Sequence, residues 1–312
     1  QPTVPSSTPP RWMPTRMRSG CRSRAAARAR LPPVAAPLDD VLSSDELEPR
    51  CNSAAAAVAC ARAQKDDLST LHCLLQLEIA LTALDDYAQL LSVCDEMGLL
   101  SVRMQNTHYT SLAALGHGVA WIRLAEFGKA DAVLARAIEE LPTELGPVPE
   151  ALLRGLAAVS ALQQGRAAAA EELAGSAMNA VTRARWTMAE LRLPLCCILE
   201  VYLSAAGPER YSGEIESALG RLNTIARRFP FAAPNAFLFQ GRHDWQQNKR
   251  ERACLGLRHS LEAARRFDGR YEIAQAHFWL GRFANSLSGA VHVSEGAVVH
   301  LRSEEHTSEL QS

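Results

Sequence analysis

Two carboxylate pairs, Asp66-Asp67 and Asp85-Asp86, are the first residues here whose types and spacing point to chemistry. On a helix, a DDxxD run holds a divalent cation because its last carboxylate returns to the face of the first, about one turn on. Asp85-Asp86 is followed by Tyr87, Ala88 and Gln89, so that last carboxylate is missing, and Asp66-Asp67 fails in the same way. Both pairs are expected at helix starts, where negative charge complements the helix dipole. His243 and Asp244 are neighbours in a predicted helix, and adjacent helical side chains diverge by about 100°. Cys196-Cys197 diverge likewise and cannot chelate one metal together, while His259 and His277 stand alone on separate predicted helices. There is no GxxxxGK[ST] phosphate loop, HExxH, GxSxG or kinase motif set. The expectation is a non-enzyme with no catalytic residue, no metal and no cofactor. An all-α enzyme is the alternative that a deep polar pocket with paired carboxylates would revive.

Composition narrows the classes further. The 312 residues are 47% hydrophobic but only 6% aromatic. Alanine and leucine make up the difference, and both favour helices. A net charge of −1 gives no electrostatic reason to expect nucleic acid or an anionic membrane as partner. No run of 18 uncharged apolar residues occurs, so no membrane span is expected. The eight cysteines form no CxxC pair and mostly fall on apolar helix faces. Buried thiols behave as small hydrophobes. With no secretory signal, a cytoplasmic location is expected.

Both ends differ from the middle. Residues 1–38 hold eight of the 16 prolines and seven arginines, from Arg11 to Arg30, and the first acidic residue is Asp39. An organelle transit peptide, a Pro-rich linker and GC-rich DNA read out of frame all fit this composition, and in each case a disordered segment is expected. Residues 302–312, Arg302 to Ser312, resemble the translation of a sequencing-library adapter read in frame. This tail is expected to be artefactual, with the natural sequence stopping near Leu301, and His306 with its acidic neighbours is not read as a metal site.

The segment 39–301 reads as helix after helix. From Ser111 to Pro142, apolar residues fall at helical spacing in two runs that break near Gly128. Gly118 and Ala130 are small where two antiparallel helices would approach, Trp121, Phe127 and Leu134 supply bulk, and Pro142 closes the second helix. Equivalent slots recur at Ala158, Gly165, Ala170, Ala174 and Ala177, then at Gly241, Ala253, Leu257 and Ser260, and again at Leu280-Gly281. Between them lies a degenerate pair, about 186–205 and 213–228, whose first helix Pro194 should kink or restart. Helices over 53–64, 68–84 and 87–97 lead into the array, and a last helix begins around 294–301.

This order of small, aromatic and alanine slots resembles the tetratricopeptide repeat. The resemblance implies an all-α fold, a right-handed superhelix (solenoid) of antiparallel helix pairs. Spacing that drifts between about 35 and 48 residues implies helices longer than the minimal unit. Gly241, Trp245, Ala253, Ser260-Leu261, Ala263, Tyr271-Glu272, Ala274, Ala276-His277 and Leu280-Gly281-Arg282 also resemble the last repeats of large bacterial signalling ATPases, which carry a kinase or cyclase domain, an AAA-type ATPase and a tetratricopeptide region. The family usually has Met-Pro where this chain has Gly269-Arg270.

The resemblance implies a regulatory or scaffolding fragment of such an ATPase, with a free-standing adaptor as the alternative. Its partner would be a protein or peptide, or upstream domains of the same polypeptide. In such arrays the first helix of each pair lines a concave groove. That maps Arg123, Asn235, Arg242, Trp245, Gln275, Phe278, Arg282 and Asn285 onto a face where arginines and amides beside aromatics suit a peptide carboxylate or acidic segment. The competing reading of the same residues is a solvated face.

Overall fold

The computed structural model describes residues 44–184 and 189–288. The segment 1–38, the tail 302–312 and the helix expected around 294–301 lie outside the described residues. Within them there are twelve α-helices and four short 3-10 turns, and no strand. The helices are α1 (Ser44–Ala63), α2 (Asp67–Ala83), α3 (Tyr87–Arg103), α4 (Thr107–Arg123), α5 (Phe127–Glu139) and α6 (Pro147–Gln163), then α7 (Ala167–Arg183), α8 (Arg192–Ser204), α9 (Ser212–Arg228), α10 (Ala233–Gln246), α11 (Arg250–Arg266) and α12 (Arg270–Ser288).

One local device sets the pace of the chain. Lys65, Asp85, Gln105 and Ala125, twenty residues apart, all adopt a left-handed backbone, with φ between 54° and 58°. Gly165, Asn248 and Asp268 repeat it farther along. Each is the middle residue of a three-residue turn. At the first turn Lys65 N–H donates to Arg62 O at 3.0 Å and Asp66 N–H to Ala61 O at 3.2 Å. This pair of bonds satisfies carbonyls that the helix end would otherwise leave orphaned. The turn's third residue then starts the next helix. Asp66, Asp86 and Asn106 accept the N–H groups of Ser69, Gln89 and Tyr109 at 3.0, 3.1 and 3.4 Å. Such caps are worth about 1 kcal/mol each. The helix-start reading of the two aspartate pairs is therefore borne out, since Asp66 and Asp86 are caps.

The break expected near Gly128 falls earlier, at Ala125, and Gly128 lies in the first turn of α5. The degenerate pair is α8 and α9. Pro194 sits in the first turn of α8, directly after the 3-10 turn Ala189–Leu191, so the helix restarts there as expected.

Consecutive helices pack against each other throughout. A second set of contacts joins α2 to α4, α4 to α6, α6 to α8, α8 to α10 and α10 to α12. These contacts place the even-numbered helices side by side in one layer. Small residues permit the close approaches within pairs. A Cβ on Gly118 would stand 2.7 Å from Leu134 Cδ2, and one on Gly241 would stand 2.9 Å from Ala253 O and 3.3 Å from Leu257 Cγ. Ala130, Ala158, Ala170, Ala174 and Ala177 are fully buried. The apolar core runs in three overlapping clusters along the stack, with Leu112 packed against the first two and Leu173 against the last two.

Candidate functional site

The expected face falls on the even-numbered layer, and the structure divides it into two groups. The first joins α8, α10 and α12. Arg242 is 2% exposed and points into the protein. Its guanidinium makes two hydrogen bonds to Glu200 of α8, the one from Nη2 to Oε1 at 3.2 Å, and a third to Ser204 Oγ at 3.3 Å. Its Cζ lies 4.1 Å from the centroid of the Trp279 ring, and Arg282 Cζ lies 5.0 Å from the same centroid. Next to them Trp245 stacks on Phe283, centroids 3.9 Å apart and planes 5° from parallel. Arg242, Trp245 and Arg282 are thus drawn together through Trp279 and Phe283.

Arg242 and Trp245 are already committed to internal partners. The outward groups on α12 are Phe278, which is 52% exposed, and Arg282. The Asn285 side chain lies outside the described residues.

The second group joins distant parts of the chain. Arg123, the last residue of α4, lays its Cζ 3.0 Å from the centroid of Tyr271 in the first turn of α12. Gln275 donates to the Tyr271 hydroxyl at 2.7 Å. Glu272 faces Arg192 of α8 at 3.6 Å, and Arg192 donates to the buried Asn235 at 2.8 Å. Asp85, in the turn after α2, accepts the Tyr87 hydroxyl at 2.5 Å. Burial pushes the Asp85 carboxyl up, while that hydrogen bond and the positive charges of Arg123 and Arg270 pull it back. Burial pushes the Cys196 thiol up to about 12, against the pull of Arg192 and Arg123.

Guanidinium carbons lie over aromatic rings, and carboxylates sit beside two of the arginines. Among the described residues, no three His, Cys, Asp or Glu side chains are grouped so as to hold a metal ion. His243 is buried with its Nδ1 unbonded, and burial holds its imidazole below the usual range. It lies between Arg242 and Asp244 on α10, and its Nε2 is within 2.8 Å of Gln247 Nε2.

Sequence reasoning missed Glu200, Trp279, Arg192, Tyr271 and Glu272 as site residues. Arg192 and Glu200 carried one usable signal: eight residues apart on one helix, they fall on the same side. No protein-family model matches this chain, and no curated protein matches it.

Proposed function

We propose that this chain is a non-catalytic interaction module, a tetratricopeptide-type solenoid that holds a peptide or protein segment against its even-numbered helices. The observation that carries the reading is the Phe278–Arg282 edge of α12. It presents an exposed aromatic and an exposed arginine one turn apart, beside the Arg242–Trp279 contact. Aromatic and arginine side chains of this kind dominate interface energies. Acidic or carboxylate-bearing peptides are the class of ligand that such a face recognises.

The wider setting we infer is the regulatory C-terminal region of a multidomain signalling ATPase, with a free-standing adaptor as the alternative. That inference rests on the sequence resemblance around Gly241–Arg282. An ATPase module encoded upstream of residue 1 would decide for the first.

A peptide-display library panned on the full chain tests the binding reading. Selected peptides should be enriched in acidic residues. Phe278→Ala combined with Arg282→Ala should weaken them at least tenfold. Peptides that bind the double variant at full strength would show that this face is only solvated surface.

A further inference from the structure

Stacked hairpins ordinarily touch only their neighbours in the array. Arg123 on α4 and Tyr271 on α12 break that rule. Seven helices separate them in sequence, yet the Arg123 Cζ lies over the ring, 3.0 Å from its centroid. The next residue, Glu272, faces a second arginine from another helix, Arg192, at 3.6 Å. Two consecutive side chains thus occupy two arginines that the fold brings in from α4 and α8.

The buried residues of α12 lie beyond its first turn. Its core residues are Ala276 and Phe283, with Trp279 and Leu280 packed against the main cluster. The Arg192–Glu272 pair is partly reached by water, with side chains 29% and 21% exposed, and its separation is longer than a hydrogen bond. Contacts of this sort can exchange for equivalent ones from another chain at little cost in fold stability.

We propose that Arg123 and Arg192 form a peptide site, self-occupied by Tyr271-Glu272, whose partner carries an aromatic residue next to an acidic one. The order of the two follows from what each arginine already holds. Arg123 has its guanidinium carbon over the Tyr271 ring, so it offers its face to an aromatic ring. Beside Glu272, Arg192 is flanked by the neutral Asn235 amide and the Phe231 ring, so it offers charge to a carboxylate. A partner binds by displacing the first turn of α12, which makes the contact a built-in competitor that sets a threshold for binding. This proposal rests on the interaction-module reading above and adds the ligand class and the competition.

The probe is a capped, fluorophore-labelled peptide of residues 270–275, Arg-Tyr-Glu-Ile-Ala-Gln, added to the full chain. Tyr271→Ala with Glu272→Gln in the protein vacates the site, and probe affinity should rise at least tenfold over the unmodified chain. Adding Arg123→Ala to that variant should abolish the gain. A probe altered to Ala and Gln at the same two positions should not bind. Equal probe binding to the vacated and unmodified chains, or a gain that survives Arg123→Ala, overturns the proposal.

Circular dichroism checks that the vacated variant folds. If it does not, Arg123→Ala alone provides the test by hydrogen exchange. Exchange in 85–87 and 271–275 should then rise together, at least tenfold, and stay unchanged elsewhere. Unchanged exchange in either segment overturns the proposal. If display-selected peptides need Phe278 and Arg282 while the probe fails, the self-occupied site falls and the module reading stands. If the probe binds as expected while the Phe278 and Arg282 changes have no effect, the Phe278–Arg282 edge falls instead.

Discussion

Glu78 of α2 lies so close to Gly116 of α4 that a Cβ at 116 would stand 2.7 Å from Glu78 Oε1 and 2.4 Å from Cys94 Sγ. The carboxyl is buried between helices and its Oε2 has no hydrogen-bond partner. Burial pushes its pKa from the usual 4.5 to about 8, so the group is held mainly as the neutral acid at pH 7. The same burial, reinforced by Glu78, pushes the Cys94 thiol up.

Stability should therefore depend on pH in a defined window. Between pH 4.5 and about 8 the folded chain holds a proton on Glu78 that the unfolded chain has released. Folding takes up a proton across that window, so stability falls as pH rises through it and levels off above it. At pH 7 the penalty is about 3 kcal/mol or less. Glu78→Gln removes it, and urea denaturation should find the variant more stable at pH 7.5 and less sensitive to pH from 5 to 8. A pH dependence identical to that of the unmodified chain would show that Glu78 ionises freely in the folded state.

Gly116 is there for closeness, since it is an ordinary helical residue with no unusual backbone angle. Gly116→Ala should improve helix propensity yet destabilise, because the added methyl meets both the Glu78 carboxyl and the Cys94 sulfur. Overpacking of this kind costs about 1–3 kcal/mol. Combining it with Cys94→Ala should recover part of the loss, because the sulfur is the nearest obstacle. A stabilised Gly116→Ala in urea or thermal melts would mean that the three helices have slack at this crossing.

The left-handed turns give a prediction of opposite sign. Gln105 and Ala125 occupy a conformation that costs an ordinary L-residue about 1–2 kcal/mol. Glycine relieves that strain and gives back about 0.5–1 kcal/mol in chain entropy. Gln105→Gly and Ala125→Gly should each stabilise by about 0.5–1 kcal/mol net, read as a raised denaturation midpoint. The two turns lie on successive helices of an array, so the gains should add. Gly128→Ala, where a Cβ meets nothing within 4 Å, should also be mildly favourable.

The contrast between Gly118 and Ala125 explains what was legible in the sequence. Close helix contacts demand small side chains, so Gly118 with Ala130, and Gly241 with Ala253, marked the pairs correctly. The turns make no such demand on composition. Lys, Asp, Gln, Ala and Asn all fill the left-handed position, so the break after α4 was read three residues late, at the visible glycine. The asparagine and aspartates at 66, 86 and 106 were the stronger signal, a cap every twenty residues. On the candidate face, Arg242 and Trp245 both lie on α10, but nothing near them in the sequence points to their partners. Glu200 lies on α8, in the stretch with the weakest repeat pattern. The reach of Tyr271 to Arg123 spans seven intervening helices, which no local stretch of sequence encodes.

Arg242 supplies a test that separates structure from binding. Its guanidinium is almost fully buried and held by Glu200, Ser204 and the Trp279 face. Removing one member of a buried ion pair leaves the other without its counter-charge, at a cost of about 3–5 kcal/mol. Glu200 remains 21% exposed, so water reaches its carboxylate and the lower end of that range applies. Arg242→Ala should lose about 3 kcal/mol, and Arg242→Met with Glu200→Leu should recover most of it, because an apolar pair of similar volume leaves no unpaired charge. A double-mutant cycle in urea would measure the coupling. If Arg242→Ala melts like the unmodified chain, the guanidinium is not a structural anchor and belongs with Arg282 on the proposed binding face. A loss near 3 kcal/mol with rescue by the apolar pair makes Arg242 the anchor between α8 and α10 that holds the face in place.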